Sequence, residues 1–351
     1  MVLRRQRPYL GRETLPYPPY AGCPALTDPT LPSATPAFLN HDRPPVPDLV
    51  VPRGVQPFHL HLKPVRGRLV RLGPLADALL GRHAAQHPAV LALMGEAMAL
   101  TAALATALKF RGSFSLQAKG DGAVPMLLAD CTEAGALRGY ARAEAEKLAT
   151  LLAGDVPPSA GALLGSGYLA FTCDQGPDMD RYQGIVAIEG ATLAEMTGVY
   201  FRTSEQLQSQ VHLACARTEA GWRAAALVIE RVAGEGGVDP QSDAEAQDDA
   251  WRTAQALAGT ITAEELLDDH LTGEKLLHRL FHAEDLALDR PRALSYGCRC
   301  SRARLAQVLE GFPPDDLDHM AEDGAITMTC EFCNLDFRFE RAEVEGKAGR
   351  A

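Results

Sequence analysis

The sequence lacks an uninterrupted apolar run of the roughly 18 residues that a membrane-spanning helix needs. Its most apolar stretch, from Ala89 to Leu108, is interrupted by Gly95, Glu96 and Thr101, which predicts a buried helix of a globular domain. The basic opening segment is followed by neither an apolar core nor a small-residue cleavage site, so no secretory signal is expected. These absences predict a protein of the reducing cytoplasm with no membrane partner.

Features of nucleotide-dependent proteins are also absent. The 351 residues carry a net charge of −11, whereas nucleic-acid binding depends on basic side chains that neutralise phosphates. There is no Walker motif for ATP phosphates, and no Ser/His/Asp arrangement suggests an enzyme. The sequence therefore predicts a protein that is not an enzyme and that uses neither ATP nor nucleic acid.

Composition divides the chain into five parts. Residues 1–57 hold 13 of the 24 prolines, which predicts a disordered extension. In residues 58–231, short apolar strands follow one another without helical crossovers, which predicts an α+β core domain with an antiparallel-rich sheet and packed helices. Residues 232–290 are predicted to form an acidic helical linker, 291–345 a small C-terminal zinc-binding module, and 346–351 a tail.

Alternating apolar residues and turn residues locate the elements of the core domain. The predicted strands are 114–120, 124–130, 137–143, 167–173, 184–190, 210–216 and 222–230. The predicted helices are 74–82, 88–108 and 192–207. The Gly-Asp-Gly sequence at 120–122 is expected to be a hairpin turn.

The predicted linker is strongly acidic. It contains 14 acidic and four basic residues, a net charge of −10. Helical patterns cover 243–258 and 262–281, and Thr262 with Glu265 fits a capping box. Leucines supply one apolar face, and the acidic residues are expected to face water. Because its apolar content is modest, the stability of this segment should depend on docking to its neighbours.

Four of the eight cysteines form two close pairs near the C-terminus. Cys298 and Cys300 form a C-x-C pair, and Cys330 and Cys333 form a C-x-x-C pair after 29 intervening residues. Such pairs suit one tetrahedral ion with sulfurs about 2.3 Å from it. Thiolates favour zinc, and a unit of this size commonly needs a metal to fold. The sequence therefore predicts one zinc ion per chain, bound by these four cysteines.

The remaining cysteines are scattered and are expected to be inert packing or surface residues. They are Cys23, Cys131, Cys173 and Cys215.

Spacing leaves three functions open for the clustered site. On spacing alone, a structural zinc-ribbon regulator that binds a protein or nucleic-acid partner is favoured. A redox switch is the second, because oxidants attack thiolates and oxidised cysteines no longer bind the metal that folds the module. A thiol–disulfide oxidoreductase is the third; it usually has C-x-x-C at the start of a helix, whereas Cys330 and Cys333 lie between two predicted strands.

Longer segments of the sequence resemble the redox-regulated 33-kilodalton heat-shock chaperone family. The resemblance covers about 58–340. The matching segments are CRCS (298–301), TCEFCN (329–334), LMGEAMALTAALATALKFRGSFSLQAKGDG (93–122), LRGYAR (137–142), RYQGIVAIEG (181–190) and YFRTSEQL (200–207). The proline-rich extension is not part of the family pattern.

This resemblance implies an ATP-independent holdase that serves protein folding in the stress response. It implies that the four clustered cysteines bind zinc in the reduced, inactive form. Oxidation is then expected to form two disulfides, each within its own close pair, and to release zinc. The module and linker would unfold, and the activated protein would bind unfolding client proteins, often as a homodimer. The resemblance identifies no client-binding residue.

Overall fold

A computed structural model of the chain describes residues 47–107, 112–154, 156–175, 181–232 and 244–344. Most of the predicted extension, the predicted tail and the first part of the predicted linker lie outside these ranges. The structure differs from the predicted end of the extension at residue 57. The first strand begins at Val50, and Val55 is fully buried. Proline content hid this strand, because Pro52 lies at a bulge, one of the sheet positions that tolerates proline.

One large sheet dominates the described part of the chain. Its strand order is β7-β6-β3-β4-β5-β11-β1-β2-β9-β8, with β10 beside β1, and β12 and β13 form a separate hairpin. The strands are β1 (Val50–Leu60), β2 (Val65–Arg71), β3 (Ser113–Gly120), β4 (Met126–Thr132), β5 (Ala136–Arg142), β6 (Gly167–Asp174), β7 (Tyr182–Ala187), β8 (Ser209–Thr218), β9 (Gly221–Arg231), β10 (Leu286–Leu288), β11 (Arg292–Tyr296), β12 (Ala325–Thr329) and β13 (Asp336–Glu340).

Neighbouring strands are antiparallel throughout this sheet, except that β11 runs parallel to β5. The antiparallel-rich α+β prediction is thus confirmed. Each of the seven predicted strands is present as β3 to β9, with ends that differ by at most three residues. Four strands, β1, β2, β10 and β11, were not predicted.

The helices pack on both faces of the sheet. They are α1 (Pro74–Leu80), α2 (Pro88–Ala105), α3 (Ala145–Leu152), α4 (Ala160–Leu164), α5 (Leu193–Tyr200), α6 (Ala244–Ala258), α7 (Ala263–Leu267), α8 (Gly273–Phe281), α9 (Arg302–Leu309) and α10 (Pro314–Met320). α3, α4, α9 and α10 were not predicted. The predicted helix 192–207 is α5 followed by a π-helical turn, Phe201–Glu205.

The predicted helix 262–281 is divided into α7 and α8. Asp268 adopts an extended conformation that ends α7, and Thr272 begins α8 by accepting a hydrogen bond from the backbone amide of Lys275. The capping box predicted for Thr262 and Glu265 is present at the start of α7.

α2 is the central helix of one hydrophobic core. Its composition would allow it to span a membrane, yet 78% of it is buried inside the protein. It packs against β4, β5, β8 and β9, which confirms the prediction of a buried helix.

β9 separates two hydrophobic cores. Ala224, Ala226 and Val228 face the core around α2. The intervening residues Ala225, Leu227 and Ile229 belong to a second core, which contains the apolar faces of α6, α7 and α8. A strand buried on both faces reads as a continuous apolar run. The acidic segment after residue 244 therefore covers a sheet face that is itself apolar.

Candidate metal centre

The four clustered cysteines meet where β11 leads into the last part of the chain. Cys298 and Cys300 follow β11 directly, and Ser301 then caps α9 by accepting a hydrogen bond from the Arg304 amide. Cys330 and Cys333 lie in the loop that joins β12 to β13. The strand–turn–strand pattern predicted around the second pair is therefore present, and no helix begins at this C-x-x-C.

The sulfur atoms have the spacing that one tetrahedral ion requires. The Sγ–Sγ distances are 3.4 Å for Cys298–Cys300, 3.7 Å for Cys298–Cys330 and 3.4 Å for Cys300–Cys333. All four lie within 4.8 Å of one another. Metal–sulfur bonds of about 2.3 Å in a tetrahedron place sulfurs about 3.8 Å apart. The described residues therefore fit a single four-coordinate ion.

Backbone geometry holds each pair in place. The Cys330 amide donates to the Leu335 carbonyl (2.9 Å), and the Asn334 amide donates to the Cys330 carbonyl (2.7 Å). Asn334 has a φ of 51°, a left-handed conformation that asparagine tolerates better than most residues. In the first pair, a Cβ atom at Gly297 would lie 2.5 Å from the backbone of Ala136, so only glycine allows this close approach to β5.

The electrostatics of the cluster favour a bound cation. Hydrogen bonds with the sulfurs of Cys298 and Cys333 lower the pKa of the Cys330 thiol. Burial raises the pKa of the Cys300 thiol to about 12, and Cys298 and Cys333 are buried too. Four thiolates this close repel one another in a poorly solvated site. A divalent cation would offset that repulsion and allow every thiol to ionise.

An ion-pair network connects the first cysteine pair to the core sheet. Arg299, between Cys298 and Cys300, donates to the Asp130 carboxylate of β4 at 2.5 Å. Arg138 of β5 binds the same oxygen at 3.2 Å. The Asp130 side chain is only 9% exposed, so this carboxylate depends on its two cations for compensation.

The second pair contacts the core through Phe332. Its ring meets Tyr140 of β5 edge-on at 5.1 Å, and the guanidinium of Arg138 lies 4.0 Å from its centroid. His83 donates from Nε2 to the Phe332 carbonyl at 3.2 Å. His83 is itself buried. These docking residues were missed because they are distant in sequence, although Arg138 and Tyr140 lie in one of the family-like segments.

The three scattered cysteines among the described residues are not part of the cluster. Cys131 and Cys173 are buried in β4 and β6, and Cys215 is half-buried in β8. Burial raises the pKa of the Cys131 thiol to about 12. The pKa of the Cys215 thiol is also raised, mainly by burial and to a smaller extent by the nearby charge of Glu96. Thiols with raised pKa values are poorly reactive, in agreement with the expectation of inert packing. Cys23 lies outside the described residues.

Comparison with known proteins gives one consistent family. The model of the Hsp33 protein family matches residues 54–340. The 33 kDa chaperonin of Caulobacter vibrioides is 41% identical over 291 residues, covering 82% of this chain and 94% of its own. The 33 kDa chaperonin of Pseudomonas paraeruginosa is 38% identical over 286 residues, covering 80% of this chain and 89% of its own.

A solved structure shows the same fold. The crystal structure of the 33 kDa chaperonin from Thermotoga maritima has a TM-score of 0.67 and 19% identity, and the match covers 83% of this chain and 96% of that one. Family match, relatives and clustered cysteines together show that the chain belongs to the Hsp33 family of chaperones, whose clients are unfolded proteins.

Proposed function

We propose that this chain is a redox-regulated, ATP-independent holdase that binds unfolding proteins during oxidative stress. In this proposal Cys298, Cys300, Cys330 and Cys333 hold one zinc ion in the reduced, inactive form. The observation that carries it is that four sulfurs lie within 4.8 Å of one another in a module that contacts the core sheet through Arg299 and Phe332. The proposed compartment is the reducing cytoplasm.

The four thiolates are the proposed sensor. Bound zinc would keep the sulfurs ionised, the state that oxidants attack. The four thiolates would then pass four electrons to two equivalents of a two-electron oxidant such as a peroxide, which is reduced to water, and would form two disulfides. The sulfurs would no longer serve as ligands. The sulfur distance within the first pair, 3.4 Å, is similar to the two distances across the pairs, 3.7 and 3.4 Å. The pairing Cys298–Cys300 and Cys330–Cys333 therefore rests on the family resemblance.

Loss of the shared centre would act first on the docking contacts. Arg299 and Phe332 are each next to a ligand cysteine, so their positions on Asp130 and Tyr140 depend on the fold of the two loops. β10 and β11 connect the cysteines to α8, and both pair with β1. A change at the cysteines therefore has a short covalent path of 16 residues to the helices on the sheet.

The helices α6–α8 and their connections are held to the sheet by apolar packing and by charge. The ring of Phe281 lies 5.3 Å from that of Phe58 in β1. Four acidic residues also pair with cations of the core, contrary to the expectation that the linker acids face water. The pairs are Glu274–Arg53 (2.7 Å), Glu284–Lys63 (2.6 Å), Asp269–Arg223 (2.8 Å) and Asp248–Arg231 (2.5 Å).

Release of these helices would uncover a contiguous apolar face of the sheet. Its side chains come from β1, β2 and β9 and include Phe58, Leu60, Leu69, Leu227 and Ile229, which are at most 2% exposed in this structure. A large exposed apolar patch is a protein-binding surface. The surrounding ring of newly unpaired charges would keep the complex with a client in solution.

Light scattering from a heat-unfolding test protein tests the proposal. The chain is added either reduced and zinc-loaded or oxidised, without ATP, while a dye follows zinc release. We expect suppression of aggregation only after oxidation, in step with loss of about one zinc per chain, and dimers in sedimentation of the oxidised form. Zinc release without suppression would instead favour a structural zinc-ribbon regulator. A Cys131→Ser variant, outside the cluster, serves as the matched control.

A further inference from the structure

β11 occupies a slot between two halves of the large sheet. On one side lie β7, β6, β3, β4 and β5, and on the other β1, β2, β9 and β8, with β11 as the connection between them. We propose that this slot is a binding site for one extended apolar segment of an unfolding protein, and that β11 fills it as an internal competitor in the reduced state. The inference rests on the proposed function, because it requires β11 to leave when the cysteines are oxidised.

Backbone hydrogen bonds define the slot on both sides. The Ser295 amide donates to the Gly135 carbonyl (2.9 Å), and the Gly297 amide donates to the Leu137 carbonyl (2.8 Å). On the opposite edge, the Tyr296 amide donates to the Leu49 carbonyl (3.1 Å). Departure of β11 would leave two strand edges about 9.6 Å apart, twice the inter-strand spacing. That gap accepts one strand, and unpaired edges bind an added strand through main-chain hydrogen bonds.

The side chains of β11 indicate which segments would fit. Leu294 is fully buried and Tyr296 is 8% exposed, whereas Ala293 between Arg292 and Leu294 faces solvent. A Cβ atom at Gly54 would lie 2.8 Å from Leu294 Cγ, so the missing side chain at Gly54 creates the space for this leucine. The slot therefore selects apolar or aromatic side chains at alternate positions of an extended chain, which is the pattern that unfolding β-proteins expose.

β11 is held in the slot by few strand-pairing contacts. Its pairing with β5 involves only two residue pairs, Ser295–Ala136 and Tyr296–Leu137. Its pairing with β1 is interrupted by the bulge between Val51 and Val55. The Tyr296 hydroxyl is buried without a hydrogen-bond partner among the described residues, which lowers the affinity of this strand for its own slot.

β11 is also coupled directly to the redox site. One residue, Gly297, separates Tyr296 from Cys298. Cys298 is itself buried against the same core as Leu294 and Tyr296. Loss of order at the first cysteine pair would therefore reach the strand without any intermediate element.

A labelled peptide with the sequence of residues 289–297 (DRPRALSYG) tests the inference by fluorescence anisotropy on the full chain. We expect at least tenfold tighter binding to the oxidised than to the reduced, zinc-loaded chain. We also expect a tenfold loss when the leucine that corresponds to Leu294 is replaced by aspartate. Equal binding to the two forms, or equal binding of the two peptides, would overturn the inference.

Two further measurements locate the site. Gly54→Val fills the space of Leu294 and should weaken peptide binding to the oxidised chain at least tenfold. Gly81→Val is the control, because no atom lies within 4 Å of a Cβ at that glycine. If Gly54→Val does not fold, hydrogen exchange on the unchanged protein decides: the amides of Ser295, Tyr296 and Gly297 should lose protection on oxidation, and retained protection would refute the inference.

The same assays separate this inference from the proposed function. Suppression of aggregation by an oxidised chain that does not bind the peptide would refute the slot and leave the holdase in place. Peptide binding without suppression would support the slot and refute the holdase. Peptide binding that weakens as the concentration of oxidised chain rises would identify β11 of a second copy as the occupant and overturn the assignment to client segments.

Discussion

The side chain of Arg71 connects the sheet to the linker by hydrogen bonds with backbone carbonyls of the linker. It lies at the end of β2, and its guanidinium donates to the carbonyls of Glu265 (2.5 Å), Leu266 (3.0 Å) and Leu271. Glu265 and Leu266 are in the last turn of α7, where carbonyls lack partners within the helix. One half-buried side chain therefore satisfies the end of α7 and the loop that precedes α8.

Replacing Arg71 by methionine keeps most of the apolar stem and removes the three hydrogen bonds. A hydrogen bond that involves a charged group contributes about 1.5–3 kcal/mol. The three bonds share one partly solvated group, so we expect a total of about 3 kcal/mol and not their sum. A loss of about 3 kcal/mol changes the docking equilibrium of the linker about 100-fold.

Hydrogen exchange of the reduced, zinc-loaded protein measures this change. For Arg71→Met we expect protection of the amides in α7 and α8 to fall about 100-fold, with β3–β6 unaffected. The control is Arg252→Met in α6, because Arg252 and its partner Asp249 are 66% and 74% exposed and such pairs contribute little. Unchanged protection in α7 and α8 would refute the idea that Arg71 retains the linker.

Three other perturbations probe the same coupling. Asp130→Asn leaves Arg299 and Arg138 without a carboxylate, so zinc release on addition of peroxide should accelerate several-fold, measured with a zinc-binding dye. Asp316→Asn, at an exposed position of α10, should not change it. Raising NaCl to 1 M should lower the protection of α6–α8 by screening their ion pairs with the core; a rise in protection would contradict this. Burial raises the pKa of Glu96 to about 7, so the neutral form is favoured in the folded state. The free energy of unfolding of the reduced protein should therefore fall by up to about 3 kcal/mol between pH 4.5 and 7. Denaturant titrations should show a smaller fall for Glu96→Gln.

Local pattern was enough to find the core strands and the cysteine cluster. The sequences of β3 to β9 are either alternating or continuously apolar and are bounded by turn residues. The C-x-C and C-x-x-C spacing of the clustered cysteines was enough to predict a metal site. β2 was missed because three of its seven residues are arginines. One of them, Arg68, is buried beside Glu230 at 3.1 Å, a partner 162 residues away, so its burial has no local signature.

The docking of the cysteine module illustrates the same limit. Arg299 and Phe332 lie between ligand cysteines, where sequence reasoning considered only the metal. Their partners Asp130 and Tyr140 lie in β4 and β5, and nothing in the spacing of the cysteines indicates which strands they face. The linker acids were assigned to solvent for a related reason, because their cations belong to β1, to the turn between β1 and β2, and to β9.

The alternation of β9 places the helices that the proposed mechanism releases against only one face of the strand. Ala224, Ala226 and Val228 belong to the core that contains α2, and their packing involves no residue of α6–α8. Ala225, Leu227 and Ile229 face the helices that the proposed mechanism removes. The strand therefore separates the core that contains α2 from the core that loses α6–α8 in the proposed mechanism. Substitutions on the α2 side of β9 change the stability of that core without altering the docking of α6–α8. Substitutions on the other side change both the docking of these helices and the apolar surface that their release would expose to clients.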